Sequence, residues 1–290
     1  AVPAHQTGRV APVAERRHAG FFREDGETNR MTDVPPVLVE QDGAVGIIRL
    51  NRPDKFNCLS LAVMRAITAA MDRFENEPAI RSVLVAAEGK QFSTGADLEE
   101  VLGLRDDREA LADFVATGHA TLSRLEASKL PVVAAVQGLA LAGGLELMMA
   151  CDIAFAADSA RFGDQHAQFG LIPGWGGSQR LPRLIGMRRA MDLFLSAAWI
   201  DAKTAKDWGL INRVSKDKAL HADALAYCKA LAERSRSGLA TMKRLARDGI
   251  DMPLAGGLKL EQALAPDALM TADVTEGLDA FKNRRKPNFA

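Results

Sequence analysis

The sequence predicts an α/β fold of stacked strand–helix units that gives way, near residue 200, to a helical C-terminal region. Three observations carry this. Short β-rich runs alternate with helical periodicity between residues 37 and 157. Glycine-containing loops stand where strands hand over to helices, at residues 89–98 and 137–146. Beyond residue 200 the pattern is helical only, with breaks near Gly209, Ser237, Pro253 and Pro266.

Each element follows from its own residues. Val37-Leu38-Val39 and residues 45–50 are β-rich and are separated by Asp42-Gly43, a hairpin signal. Over residues 60–77, Leu61, Met64, Ile67, Ala70, Met71 and Phe74 share one helical face. Residues 82–87 read as a buried strand and residues 107–128 as a helix. A strand runs over 131–136 and ends at Gly138; residues 143–150 form a short apolar helix, and 152–157 another strand. Beyond residue 200, helices are expected over 202–208, 217–235, 237–250, 254–270 and 273–284, with Pro266 kinking or dividing its segment. The apolar faces there, such as Leu220, Ala224, Leu225, Leu231, Leu239 and Leu245, need cover from the core or from a partner subunit.

Residues 1–30 differ from the rest. They carry Arg9, Arg16, Arg17, Arg23 and Arg30 without sustained periodicity and read as a disordered extension ahead of Met31, a candidate natural start. A mitochondrial leader is the alternative; Glu15, Glu24, Asp25 and Glu27 count against it, because such leaders are poor in acids. The expected organisation is therefore an extension over 1–30, a core over 31–200 and a helical region over 201–290.

Composition narrows the function classes. The 290 residues suffice for one large domain or two small ones, and 48% hydrophobic with 26% charged residues is ordinary for a globular chain. Lys plus Arg and Asp plus Glu number 37 each, so nothing steers the whole chain toward nucleic acid or anionic lipid, and no nucleic-acid partner is expected. No apolar run is long enough to span a bilayer. Cys58, Cys151 and Cys228 form no CxxC pair, and the five histidines show no ligand spacing, so neither a disulfide framework nor a metal site is indicated. A cytoplasmic location is expected.

The chemistry is concentrated in glycine-containing loops. The first runs from Gly89 through Phe92-Ser93-Thr94-Gly95-Ala96-Asp97-Leu98; the second, Gln137 to Glu146, ends a strand and opens a helix. A helix N-terminus exposes unpaired N–H groups, and small residues let a ligand oxygen approach them. Two such groups converging on one oxygen make an oxyanion hole; tight turns and close packing alone would use the same glycines. The third loop, residues 170–180, lacks both a GK[ST] ending and GxGxxG, which excludes a P-loop and argues against a dinucleotide site.

Six ordered blocks carry a resemblance: residues 51–57, 92–98, 136–158, Phe162-Gly163 with 170–186, 205–214 and 281–289. On them the chain resembles the crotonase, or enoyl-CoA hydratase/isomerase, superfamily from about Val37 to Phe289. The resemblance implies a spiral of ββα turns followed by a helical trimerisation region, and hence a homotrimer or a dimer of trimers. It implies an acyl-CoA thioester substrate, with CoA entering as part of that substrate and no separate cofactor. It places the thioester oxygen between the backbone N–H groups of Ala96 and Gly143. Lys55, Phe56, Ala96, Asp97 and Leu98 match the stretch that lines the CoA site, and Phe281 and Lys282 match a C-terminal position that reaches CoA on an adjacent subunit.

The same resemblance implies a pair of acid/base glutamates. The first is Glu146, three residues after Gly143. The second position, seven residues before Pro173, holds His166. A carboxylate among Leu145, Leu147, Met148 and Met149 costs energy unless paired or functional, and desolvation favours its protonated form. Histidine can give or take a proton near neutrality, or it fills a position that lost its acid; Asp164, two residues earlier, stands where it could orient the ring. His119 is a lone helical histidine. Trp175 suits either a wall of the acyl pocket or ordinary packing.

The function expected is an enoyl-CoA hydratase-like reaction, in which Glu146 activates water, His166 protonates the α-carbon and the Ala96 and Gly143 N–H groups hold the enolate. The alternatives are another reaction of the superfamily, namely isomerisation, thioester hydrolysis or dehalogenation, or a CoA- or RNA-binding relative without chemistry, using a basic patch such as Arg180, Arg183, Arg188 and Arg189.

Overall fold

The computed structural model describes residues 34–289, so the expected extension over 1–30 and a start at Met31 lie outside the described residues. The chain opens with an antiparallel hairpin of β1 (Val37–Asp42) and β2 (Val45–Leu50). Asp42 pairs with Val45 across the turn, where Gly43 takes φ +60°, a conformation that costs glycine nothing. Helix α1 (Leu61–Asn76) is capped by the Ser60 side chain on the Val63 N–H and buries Val63, Met64, Ile67, Ala70, Met71 and Phe74. Then follow β3 (Ser82–Ala87), α2 (Leu98–Leu104), α3 (Arg108–Glu126), β4 (Val132–Val136), β5 (Leu139–Leu141), α4 (Gly143–Met149), β6 (Ile153–Ala157) and β7 (Arg161–Gly163). Helices α5 (Gly177–Ile185) and α6 (Met187–Ser196) lead to β8 (Ile200–Asp201), α7 (Ala202–Asp207) and β9 (Arg213–Ser215). The described chain closes with α8 (Leu220–Ala232), α9 (Arg236–Ile250), α10 (Leu254–Leu269) and α11 (Ala272–Lys282).

Six strands form one sheet in the order β1-β2-β3-β4-β6-β9, parallel beyond the first pair. Every residue of β3 and β4 is buried, as a parallel sheet covered on both faces requires. A smaller sheet, β5-β7-β8, takes a short strand from successive turns of the chain. Segments β4-β5-α4 and β6-β7-α5 therefore repeat one unit: a long strand in the large sheet, a short strand in the small one, then a helix. This is the expected α/β spiral of ββα units with a helical C-terminal region. No described helix is long and apolar enough to cross a membrane.

Three expectations for the C-terminal part need correction. Strands do occur at and beyond residue 200: β8 pairs with β7, and β9 adds an edge strand to the large sheet. With two and three residues they are too short to show a period. Pro266 does not divide its segment; it lies inside α10, one turn from the end, where few hydrogen bonds remain to be lost. Leu220 and Ala224 need no partner subunit, because α8 packs on the large sheet and buries both. The uncovered helices are α9 and α10, neither of which buries a residue among the described residues.

Candidate active site

The loop before α2 is pinned between two other segments. Leu59 bridges to Ala96, and Ser93 bridges to Ala140 of β5. Leu59 N–H donates to the Gly95 carbonyl at 2.8 Å and Asp97 N–H to the Leu59 carbonyl at 3.0 Å. That pattern turns the Ala96 N–H away, and among the described residues it meets no acceptor. Gly95, at φ +106°, lies so close to α4 that a Cβ there would stand 2.9 Å from the Gly143 nitrogen.

Gly143 is the first residue of α4, so its N–H has no partner within the helix. Nothing else among the described residues accepts it. The residue before it, Ala142, takes φ 47° and ψ −119°, a strained conformation for a side chain and one that aims the following peptide. Ala96 and Gly143 line one cavity of about 150 Å³ together with Glu146, His166 and a largely apolar wall.

Glu146 sits one turn into α4 and is 1% exposed. Its Oε1 accepts two backbone N–H groups, from Trp175 at 2.9 Å and Gly177 at 2.7 Å. Its Oε2 faces His166 Nε2 at 4.0 Å, too far for a direct hydrogen bond. Desolvation raises the Glu146 carboxyl above the ordinary carboxylate range, while the Gly177 and Trp175 N–H groups and His166 pull against that rise.

His166 opens a short 3-10 turn just after β7. Its Nδ1 lies 3.0 Å from both carboxylate oxygens of Asp164, which is 2% exposed. With Asp164 accepting from Nδ1–H, the neutral ring presents its Nε2 lone pair toward Glu146. The structure therefore brings Asp164, His166 and Glu146 into one array, with Asp164 on the ring as its place two residues earlier suggested.

Trp175 both packs and lines the cavity. Its ring packs tilted against Phe114, with centroids 5.5 Å apart, and fills notches left by two glycines. A Cβ at Gly118 would stand 2.1 Å from its Nε1, and one at Gly143 2.5 Å from its Cζ3. A substitution at Gly143 would therefore displace the Trp175 ring as well as alter the backbone donor.

The residues expected to line the CoA site divide into groups. Leu98 borders the cavity and is half exposed. Phe56 is exposed in the left-handed region at φ 51°, and Lys55 is paired with Glu99. The Asp97 side chain is buried and bound to Arg52 at 2.8 Å, so it fixes the loop from inside and offers a ligand only its backbone. Burial would raise the Asp97 carboxyl, but the Arg52 hydrogen bond helps hold it below its usual range. Phe281 and Lys282 lie at the end of α11 and do not border the Glu146 cavity. His119 is exposed on α3 away from it. Arg180 is no part of a free basic patch, since it forms a two-toothed pair with Glu126 at 2.6 and 2.8 Å. The Trp175 and Gly177 donors on Glu146 went unread in the sequence; their signal was the glycine run at 174–177, whose backbone can approach a carboxylate closely.

Residues 40–290 match the family described as enoyl-CoA hydratase/isomerase. A probable enoyl-CoA hydratase of Mycobacterium tuberculosis is 39% identical over 253 residues, covering 87% of this chain and 97% of that protein. The mitochondrial enoyl-CoA hydratase of Pongo abelii is 34% identical over 256 residues, covering 87% of each. The crystal structure of an enoyl-CoA hydratase from Bacillus anthracis superposes with a TM-score of 0.84 at 34% identity, covering 88% of this chain and 98% of that one.

Proposed function

The chain belongs to the enoyl-CoA hydratase/isomerase family, and on that premise we propose that it adds water across the double bond of a 2-enoyl-CoA with Glu146 and His166 as its acid/base pair. The observation that carries this is the Asp164–His166–Glu146 array set beside two N–H groups, of Ala96 and Gly143, that meet no acceptor among the described residues. Water attacks the β-carbon, and the displaced electron pair moves onto the thioester oxygen as an enolate. The two N–H groups receive that oxygen and favour its charged form over the ground-state carbonyl.

Hydration needs one proton taken from water and one given to the α-carbon. The reaction requires one exchangeable proton on the pair of Glu146 Oε2 and His166 Nε2, so that one group donates and the other accepts. With the proton on His166, Glu146 takes the proton of the attacking water and His166 delivers its own to the α-carbon. The turnover leaves Glu146 protonated and His166 neutral. A water bridging their 4.0 Å gap can then return the proton. Asp164 holds the ring in place through Nδ1.

No cofactor beyond the CoA of the substrate enters these steps. The uncovered helices α9 and α10, with exposed Met242, Leu254, Leu258 and Leu269, support a homotrimer or a dimer of trimers. The unpaired Cys58, Cys151 and Cys228 suit a reducing cytosol. The test is turnover of crotonyl-CoA, read as loss of the enoyl-thioester absorbance. Glu146→Gln is expected to lower kcat by about two to four orders of magnitude. Near-normal turnover in folded Glu146→Gln overturns the reading.

A further inference from the structure

Glu146 depends on a backbone turn that it does not itself build. The N–H groups of Trp175 and Gly177 hold its Oε1, and that turn is secured from the opposite side by one guanidinium. Arg180 Nη1 donates to the Trp175 carbonyl at 2.6 Å. Its Nε and Nη2 donate to the two carboxylate oxygens of Glu126, at the C-terminal end of α3. Gly176, at φ +100°, gives the guanidinium room, since a Cβ there would stand 2.3 Å from Arg180 Nη1. Glu126 is shared with Arg247 of α9 at 3.4 Å, and Arg247 also reaches Asp152 at 2.8 Å.

We propose that Arg180, held by Glu126, is a positioning residue for Glu146 and acts through the Trp175 peptide. This rests on the reading of Glu146 as an acid/base group. The planar fork of Arg180 satisfies a carboxylate and a carbonyl at once, which a point charge cannot do with the same geometry. With the turn fixed, two N–H groups stay on Oε1, and Oε2 is left aimed at His166. Without the clamp, the Trp175 peptide gains freedom to rotate, Oε1 loses a donor, and the reacting oxygen is no longer held in place. Removing a hydrogen bond from the ionised carboxylate also favours its protonated form. The titratable groups that face Glu146 are His166 and, behind it, Asp164; the clamp touches neither.

The experiment is steady-state hydration of crotonyl-CoA across pH by the full chain carrying Arg180→Met, Arg180→Lys or Glu126→Gln. Arg180→Met is expected to lower kcat about ten- to a hundredfold with KM within a few-fold of wild type. The acid limb of kcat should move upward by about one pH unit. Arg180→Lys keeps the charge but lacks the fork and should show the same displaced limb. Glu126→Gln leaves Arg180 present but loosely held and should change both quantities in the same direction by less; it decides the question if Arg180→Met does not fold. Arg124→Met removes a comparable ion pair, to Asp72 and Glu75, and should lower stability without moving the limb. Wild-type kcat and limb in Arg180→Met or Glu126→Gln, alongside an inactive Glu146→Gln, overturn the positioning role alone. Full restoration by Lys overturns it too, because the effect is then one of charge. An active Glu146→Gln instead removes the reading on which the proposal rests.

Discussion

At Glu146 the two carboxylate oxygens have different neighbours: Oε1 is occupied by the Trp175 and Gly177 N–H groups, and Oε2 faces the cavity and His166. Burial raises the folded carboxyl above its unfolded value. Between those two values the folded state binds more protons than the unfolded chain, so this group's contribution to stability falls as pH rises through that window. Glu146→Gln removes the titration, while its amide oxygen can still accept both N–H groups. The variant should therefore melt above wild type near neutral pH, and the gap should close as pH falls through that window to the ordinary carboxylate range. Thermal unfolding across pH checks this; a gap that does not change with pH would contradict a desolvated, ionised carboxylate. His166 was legible as the residue seven before Pro173, and Asp164 as a residue placed to orient its ring; the short 3-10 turn that closes their contact was not, because three or four residues carry no period.

At the scale of elements, the site is the meeting of three chain reversals: the loop before α2, the start of α4 and the turn before α5. The first two were legible, since small residues between a strand and a helix signal free backbone donors. The third was read as neither a P-loop nor a dinucleotide loop, as one of the blocks of the family resemblance, and as carrying Trp175, a candidate wall of the acyl pocket. Its use, two N–H groups on a carboxylate 29 and 31 residues earlier, leaves no local pattern. The Arg180–Glu126 clamp spans 54 residues and is invisible for the same reason. Helix α2 was also missed; its seven residues make fewer than two full turns, too short for the spacing of Leu98, Val101 and Leu102 to stand out as a period. At the start of α4, Ala142 holds a conformation that glycine adopts without penalty. Ala142→Gly should raise stability by about 1 kcal/mol in denaturant unfolding while keeping kcat within a few-fold. A loss of stability would show that the Ala142 methyl contributes more by packing than the backbone strain costs.

At the scale of the whole chain, the sequence foretold a strand-rich core followed by helices, and the large sheet borrows β9 from beyond the expected boundary. The prediction of uncovered apolar helix faces also shifts in place. Helix α8 is satisfied within the chain, whereas α9, α10 and α11 present Met242, Leu254, Leu258, Leu269, Leu278 and Phe281 outward. Exposed apolar surface on that scale marks an interaction face. Light scattering at micromolar concentration should therefore give three or six times the chain mass. A monomeric mass would contradict the trimer and would leave those helices without cover.

We propose that His166 serves as the second acid/base group opposite Glu146, and kcat for crotonyl-CoA hydration in His166→Ala and His166→Glu decides the matter. A loss of about a hundredfold or more is expected in His166→Ala, with retained or raised hydration in His166→Glu, which restores a carboxyl opposite Glu146. A folded His166→Ala enzyme with kcat within a few-fold of wild type would contradict it and leave Glu146 as the only side chain that moves a proton.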